Sequence, residues 1–423
     1  MHIKRGAVAC ALWTFTWMSP AIASNGTHNS SLSPAAAGMA GVSVGGFVSE
    51  TESLFRNPAL VGDRLTATGK PDAELSAVFG KHNSQGALSN GTADLPSYEK
   101  SKDSLMVLPN AAVAVKITDN VAAGLGWVTY GGSTLDYTGI TSLSEQKSDQ
   151  QLFRLLPAVA ATPVDGVKLG AALVVGYSTV KINSGFQGAP QDTLGVKSAW
   201  GMGGLFGVNV TPTKGVHLGA TYLTRTQFKF KEVFNVSQLG PAPTTTLNDV
   251  TIHEPAEWAA GIAYEVDDWT LFFDFRRIGW ANASTYSELG WQNQSVFAVG
   301  AQYKSGLWTF RAGVNYGKSP IQNATDISGD DMYDFQGTTV LKGAVTEMNL
   351  IGFTAITEWE GDIGAGYRVT DQLSVDFAFN YVPSKTITQS GTMTLVAGSP
   401  PAPFIVSSKA SEWGVVAGVS YQF

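Results

Sequence analysis

The last twelve residues, EWGVVAGVSYQF, alternate without a break. Trp413, Val415, Ala417, Val419, Tyr421 and Phe423 fall on one face, and Gly414, Val416, Gly418, Ser420 and Gln422 on the other. Successive side chains of a strand point to opposite faces, so this segment is a strand with one apolar face and one small or polar face. Leu373, Val375, Phe377, Phe379 and Tyr381 alternate in the same way with Ser374, Asp376, Ala378 and Asn380. Trp308, Phe310, Ala312, Val314 and Tyr316 do so with Thr309, Arg311, Gly313, Asn315 and Gly317.

Repeated along the chain, this period predicts about fourteen strands of roughly 10–16 residues. The first seven lie near 73–82, 104–118, 121–131, 151–163, 166–182, 198–211 and 215–230. The rest lie near 255–266, 269–279, 294–304, 307–317, 356–369, 372–382 and 411–423. Each is long enough to cross a bilayer at a tilt, and longer than the globular norm of about five or six residues. Tight turns, TDN, PVDG, TPTKG, VDD, KSG and VTD, follow the even strands. Long polar segments follow the odd ones, near 83–103, 132–150, 183–197, 231–254, 280–293, 318–355 and 383–410. Short turns at one end and long loops at the other are the pattern of an outer-membrane barrel, so the expected fold is all-β, an antiparallel transmembrane β-barrel of about 14 strands. A soluble β-sandwich would also alternate, but its outward face would be polar and its long loops would not sort by strand parity. An even strand count places both termini on the short-turn, periplasmic side. Trp127, Tyr130, Trp258, Tyr264, Trp269, Trp280, Tyr303, Trp308 and Tyr367 are expected in interfacial girdles.

The first residues agree with export. Lys4-Arg5, an apolar run from Gly6 to Met18 and Ala21-Ile22-Ala23 form a positive region, a short apolar region and an A-x-A cleavage site. Residues 1–23 are read as a signal peptide, too short an apolar run to span a bilayer as a helix. Cys10 is the single cysteine, so a mature chain starting near Ser24 has no disulfide framework and no thiolate metal site. Losing Lys4 and Arg5 takes the formal charge from −7 to −9 (−7 − 2), which speaks against a nucleic-acid partner. Charged residues make up 14% against a norm of about 25%, and glycine is plentiful at 47, which suits strands facing two different solvents.

Residues 24–66 precede the first strand and alternate poorly. Their apolar residues, Leu32, Met39, Val42, Val44, Phe47, Val48, Leu54, Phe55, Leu60 and Val61, need burial, and folding the segment into the lumen supplies it. Within it, LFRNPALVGD carries a break at Asn57-Pro58, because proline fixes its own φ and drives the preceding residue out of the helical region. Read alone, the tripeptide is a surface loop ahead of the first strand.

Taken with its neighbours, the segment AAAGMAGVSVGGFVSETESLFRNPAL resembles the Gly/Ala-rich hatch of the FadL/TodX family of outer-membrane transporters, which ends in Asn-Pro-Ala. Asn57, Pro58 and Ala59 stand on that motif. Further similar stretches follow in the family's order, among them PNAAVAVKITDNVAAGLGWVTYGG, GVNVTPTKGVHLGATYLTRTQF, EPAEWAAGIAYEVDDWTLFFDF and GDIGAGYRVTDQLSVDFAFNYVP. The chain departs from the family in reading SETES (Ser49 to Ser53) before the motif, where paired acids are frequent. It also reads Tyr130-Gly131-Gly132 where a proline is frequent.

The resemblance implies a hatch (24–66) plugging a 14-stranded barrel (67–423). It also implies passive uptake of long-chain fatty acids or aromatic and aliphatic hydrocarbons, through an apolar pocket above the hatch and out sideways into the membrane. Lateral exit suits the physics, since an apolar chain gains about 0.8 kcal/mol per CH₂ on leaving water. Gly131-Gly132, with Tyr130, is the candidate for the strand kink that opens the wall, or else the start of an outer loop. Phe47, Val48, Leu54 and Phe55, with Phe272 pointing inward, are the candidate pocket, or else plain packing of plug against wall. Arg225, Arg276 and Arg311 fall inward by alternation and are candidates for a substrate carboxylate, unless they pair with lumen acids such as Asp274 and Asp376.

Catalysis finds little support: His28, His82, His217 and His253 lack metal-ligand spacing, and there is no nucleophile elbow. No cofactor is expected. A water-filled porin for small polar solutes is the alternative transport reading, and an adhesin or phage receptor would put function in the loops. The expected partners are the hydrophobic substrate, outer-membrane lipids and lipopolysaccharide, and the barrel-assembly machinery through Phe423. The chain is expected to act as a monomer.

Overall fold

Each long strand buries the small or polar half of its residues inside a closed wall and turns its apolar half outward. The computed structural model describes residues 25–423 apart from 66–68, 93, 95, 103, 104, 184–194, 243, 245, 354 and 397. The expected signal segment lies outside the described residues. Fourteen strands build the wall: β1 (Pro71–Asn90), β2 (Leu105–Thr118), β3 (Val121–Asp136), β4 (Lys147–Val164), β5 (Val167–Asn183), β6 (Lys197–Thr213) and β7 (Val216–Leu223). They are followed by β8 (Glu257–Val266), β9 (Trp269–Ile278), β10 (Gln294–Ser305), β11 (Trp308–Gly317), β12 (Trp359–Arg368), β13 (Leu373–Met393) and β14 (Ala402–Gln422). Every strand pairs antiparallel with its sequence neighbours, and β14 closes the circle on β1 from Asp72↔Gln422 to Asn90↔Phe404.

Leu75, Phe79, Leu125, Val159, Leu169, Phe206, Phe273, Val299, Phe310, Ile363 and Phe377 are all exposed on the outside. A continuous apolar band of this kind far exceeds the few hundred Å² (roughly) that soluble monomers expose, and fits a lipid-facing wall. Trp127, Trp258, Tyr264, Trp269 and Trp308 are exposed at its margins, as a girdle requires. Tyr130 and Trp280 correct that expectation: both are fully buried inside the barrel. Parity explains Tyr130, since β3 sends odd-numbered residues such as Trp127 outward, whereas Trp280 lies past the end of β9 in the 3₁₀ turn Trp280–Asn282 and packs on His28 and Tyr286.

Several strand boundaries also differ from the sequence pattern. The strand expected over 215–230 stops at Leu223, where Thr224 N donates to Gly204 O (2.9 Å) and Thr224 Oγ1 accepts from Gly204 N (2.8 Å). The chain then turns into the lumen as a hairpin, Thr226–Phe234 with Asn248–Glu254, over the side-chain-free inner faces of Gly176, Gly201 and Gly203. At the other end of the sequence, β13 and β14 run about ten residues past 372–382 and before 411, with a bulge beside Pro383, and project beyond the apolar band with β1.

Residues 25–65 lie inside the barrel. Ser33 caps α1 (Pro34–Ala37), its Oγ accepting from Ala36 N, and Ser49 caps α2 (Glu50–Phe55), its Oγ accepting from Glu52 N. At the open, long-loop end, the lumenal hairpin, a second hairpin (Met332–Phe335 with Thr338–Leu341) and α3 (Lys342–Gly352) pack into one apolar cluster.

Candidate substrate passage

Asn57 and Pro58 sit against a patch of wall stripped of side chains. A Cβ on Gly170 of β5 would lie 2.2 Å from the Pro58 carbonyl carbon, and one on Gly207 of β6 would lie 2.2 Å from Asn57 Oδ1. One on Gly219 of β7 would lie 1.9 Å from Val44 O. Asn57 Nδ2 donates to Val44 O (2.8 Å), while Asn57 Oδ1 accepts from Ala59 N (3.1 Å) and caps the 3₁₀ turn Pro58–Leu60. The break read from Asn57-Pro58 is therefore a turn inside the barrel, seated on three glycines, and not a surface loop.

The wall is interrupted between β2 and β3. Their ladder runs up from the short-turn end and stops at Ala111↔Trp127. Two residues beyond lie Pro109, which has no amide proton, and Thr129, whose Oγ1 donates to Pro109 O at 3.1 Å. The β3–β4 register slips at the same level, between Thr129 and Gly131. The backbone groups of β3 turned away from β2 are taken up by the N-terminal segment: Asn29 N donates to Tyr130 O (2.9 Å) and Gly132 N to Thr27 O (3.0 Å). Gly131 is required there, because a Cβ would stand 2.3 Å from Thr27 O, and Gly132 has φ +146.

A series of rings connects this interruption to the outer loops. Phe353 and Trp291 have centroids 6.4 Å apart, Trp291 and Tyr286 4.7 Å, Tyr286 and Trp280 4.7 Å, and Trp280 and His28 4.9 Å. His28 then meets Tyr130 at 5.6 Å, and Tyr130 meets Phe55 at 6.2 Å. At the outer end, Phe353 opens into an apolar cleft of about 50 Å³ lined also by Val180, Ile182, Phe234, Leu289 and Met348. Polar tips are tied off: Trp291 Nε1 donates to Asn349 Oδ1 (2.9 Å), Trp280 Nε1 to Gln294 Oε1 (3.3 Å), and His28 Nε2 lies 2.5 Å from Glu254 Oε2.

At the inner end the rings meet buried charge. The Arg154 guanidinium lies 3.7 Å over the Tyr130 ring, and that of Arg56 4.4 Å over Phe55. Arg56 donates to Glu257 Oε1 and to the carbonyls of Asn29 and Ser30, and burial beside Arg276 lowers it to about 10. Arg154 Nε and Nη2, and both Nη atoms of Arg276, are buried with no hydrogen-bond acceptor, Arg276 reaching Glu257 only at 3.8 Å. Unspent donors on buried guanidinium groups are costly, and an anionic group placed among them would satisfy them.

The expected pocket divides. Leu54 and Phe55 face the β3 side, whereas Val48 packs with Phe272, Met39 and Val42 on the opposite side, and Phe47 is half-exposed. Val48 also lines a polar vestibule of about 300 Å³ at the short-turn end, with Glu50, Arg64, Asp72 and Arg311. Strand alternation orients single side chains but does not say at which height two of them meet. Of the three arginines expected inward, Arg225 is exposed and donates to Asn282 O, because β7 has ended before it. Arg311 is paired with Asp376 (2.6 Å) in the vestibule, and Asp274 instead accepts from Ser43 and Val44 N. Arg276 alone is buried beside the rings.

Residues 15–328 match the sequence profile of a family described as outer membrane protein transport protein (OMPP1/FadL/TodX). The chain belongs to this family. No curated protein matches the sequence. Among solved structures, a Pseudomonas aeruginosa FadL homologue superposes with a TM-score of 0.65 at 16% identity, over 94% of this chain and 99% of that one. The P. putida toluene transporter TodX gives 0.63 at 15% identity, over 92% and 98%. The Ralstonia pickettii toluene transporter TbuX gives 0.60 at 17%, over 93% and 99%. At such identities the likeness is one of fold, and the family makes the protein an outer-membrane transport barrel of the FadL/TodX type.

Within this FadL/TodX barrel, Arg154, Glu254, Tyr286 and Trp291 were missed by sequence reasoning. Arg154 carried a usable signal, since Gln150, Leu152 and Arg154 are the inward set of β4. Tyr286 and Trp291 lie in the segment between β9 and β10, where no period marks an inward face. Among the described residues no three His, Cys, Asp or Glu gather as a metal site.

Proposed function

We propose that the protein takes up hydrophobic small molecules across the outer membrane by a dry route. Substrate enters the apolar cleft among the outer loops, descends along the rings from Phe353 to Tyr130, and leaves sideways between β2 and β3. Residues 24–66 act as the hatch below this route, 1–23 as the signal peptide and 67–423 as the barrel. The observation that carries the reading is the interrupted β2–β3 ladder, reached by the ring series and covered by Thr27–Asn29. Sideways release keeps an apolar chain out of periplasmic water at about 0.8 kcal/mol per CH₂. Tyr130, Gly131 and Gly132 form the gate, and Asn57, Pro58 and Ala59 hold the hatch in place.

The free donors of Arg154 and Arg276 favour a substrate that ends in a carboxylate, hence a fatty acid over a neutral hydrocarbon. The short-turn end faces the periplasm with both termini, and Phe423, exposed and edge-on to the Tyr421 ring, is presented to the assembly machinery. The protein acts as a monomer embedded in outer-membrane lipid and lipopolysaccharide. Cells producing the full-length protein, compared with cells lacking it, should accumulate labelled oleate faster than labelled toluene and show no gain for a labelled disaccharide. A gain for the disaccharide alone would replace this reading with that of a porin.

A further inference from the structure

Where the N-terminal segment meets β12, two carboxylates are buried together. Glu360 and Asp362 lie two residues apart on the inner face of β12, and are 1% and 5% exposed. Asn380 Nδ2, from β13, donates to Asp362 Oδ1 (2.7 Å), Glu360 Oε1 (3.4 Å) and Ala37 O (3.2 Å) at the end of α1. One amide thus holds both carboxylates and a helix-end carbonyl within a single hydrogen-bond radius. Ser30 Oγ also donates to Glu360 Oε1 (2.8 Å).

A separate observation comes from β11. Asn315 stands directly opposite Glu360 in the β11–β12 ladder and is 1% exposed. Its Nδ2 donates to Ala40 O (3.3 Å), while its Oδ1 has no donor. Asp362 Oδ2 has none either, and among the described residues no Lys, Arg or His bonds to Asp362. Directly opposed residues of a ladder have Cβ atoms about 5 Å apart, so Asn315 Oδ1 reaches the same space as the carboxylates. The unspent atoms are therefore both oxygens, Asp362 Oδ2 and Asn315 Oδ1, beside the Glu360 carboxylate and the carbonyls of Ala37 and Ala40, which accept from the Asn380 and Asn315 amides. Such a set suits a hard divalent cation, whose charge the two carboxylates balance.

We propose that Glu360, Asp362 and Asn315 form a Ca²⁺-class cation site that ties the end of α1 to β11, β12 and β13. The cation binds where the end of α1 and Ser30 meet β12, and anchors the N-terminal segment to that part of the wall. Substrate takes no part in it, so failure of the site leaves the uptake reading standing.

The test is calorimetric titration of CaCl₂, and separately of MgCl₂, into EDTA-treated full-length protein in detergent. The thermal transition is followed in parallel. One Ca²⁺ per chain should bind and raise the transition temperature, and Asp362→Asn should weaken binding by at least about tenfold. Asn315→Ala, which leaves both carboxylates in place and guards against misfolding of the first variant, should weaken it less but measurably. No heat and no thermal shift with either cation in the wild-type protein would overturn the proposal. Unchanged binding in both variants would do so too, and would move the cation to exposed loop acids such as Asp326.

Discussion

Asn57 reaches back thirteen residues to donate to the carbonyl of Val44 across 2.8 Å, and so closes the N-terminal segment into a loop inside the barrel. The same side chain caps the turn at Pro58 and rests on Gly207, so one residue fixes loop, turn and docking together.

Asn57→Ala removes all three side-chain bonds, those to Val44 O and Val208 O and the one from Ala59 N, and leaves Val44 O short of a donor. Net hydrogen bonds of this kind contribute about 0.5–1.5 kcal/mol each, so the segment should loosen while the barrel still assembles. Hydrogen exchange should rise over 44–62 in Asn57→Ala, and to a smaller degree in Pro58→Ala. Uptake of hydrophobic substrate should fall in both. Unchanged exchange and uptake would remove the motif from any working hatch.

Gly170→Ala and Gly207→Ala place a methyl group 2.2 Å from the Asn57-Pro58 backbone or side chain. Overpacking of that order costs about 1–3 kcal/mol, here at the docking site of the segment. Gly361→Ala, where a Cβ meets nothing within 4 Å, is the matched control. Both lumen variants should lower the thermal transition relative to the control.

Arg154→Leu deletes the guanidinium over Tyr130 along with its unspent donors. A charged hydrogen bond contributes about 1.5–3 kcal/mol, so oleate uptake should drop at least about tenfold while toluene uptake changes little. Equal loss for both substrates would assign Arg154 to packing rather than to carboxylate recognition.

Burial pushes Glu50 of α2 from 4.5 to about 8, with Asp72 and Glu74 adding to it and the bond from Gly62 N opposing it. An acid whose folded-state value is raised binds its proton more tightly in the folded protein. Its contribution is complete below about 4.5 and is lost as pH rises through about 8. Protection of residues 49–62 from hydrogen exchange should therefore weaken between those values. Glu50→Gln should flatten that dependence; an unaltered slope would assign it to another group.

Much of the fold was legible because a membrane wall obeys one rule. Period two and the parity of loop lengths placed all fourteen strands, and Phe272, Arg276 and Arg311 did turn inward. The pattern failed where the chain leaves the wall. β7 gives way after Leu223 because Thr224 bonds to Gly204, and nothing in the alternation of 215–230 announces that exchange. The passage was harder still. Its rings come from five separate segments, those of His28, Phe55, Tyr130, Trp280–Trp291 and Phe353, which the closed barrel alone brings together. Gly131 was singled out as a weak point in a strand, and its need for a close approach by Thr27 O was visible only in three dimensions.

The central claim is that apolar substrate passes through a barrel closed to water. Single-channel recording of the full-length protein in a planar bilayer tests it most directly. The account predicts no steady ohmic conductance, with or without oleate; large, steady currents from the intact chain would contradict it.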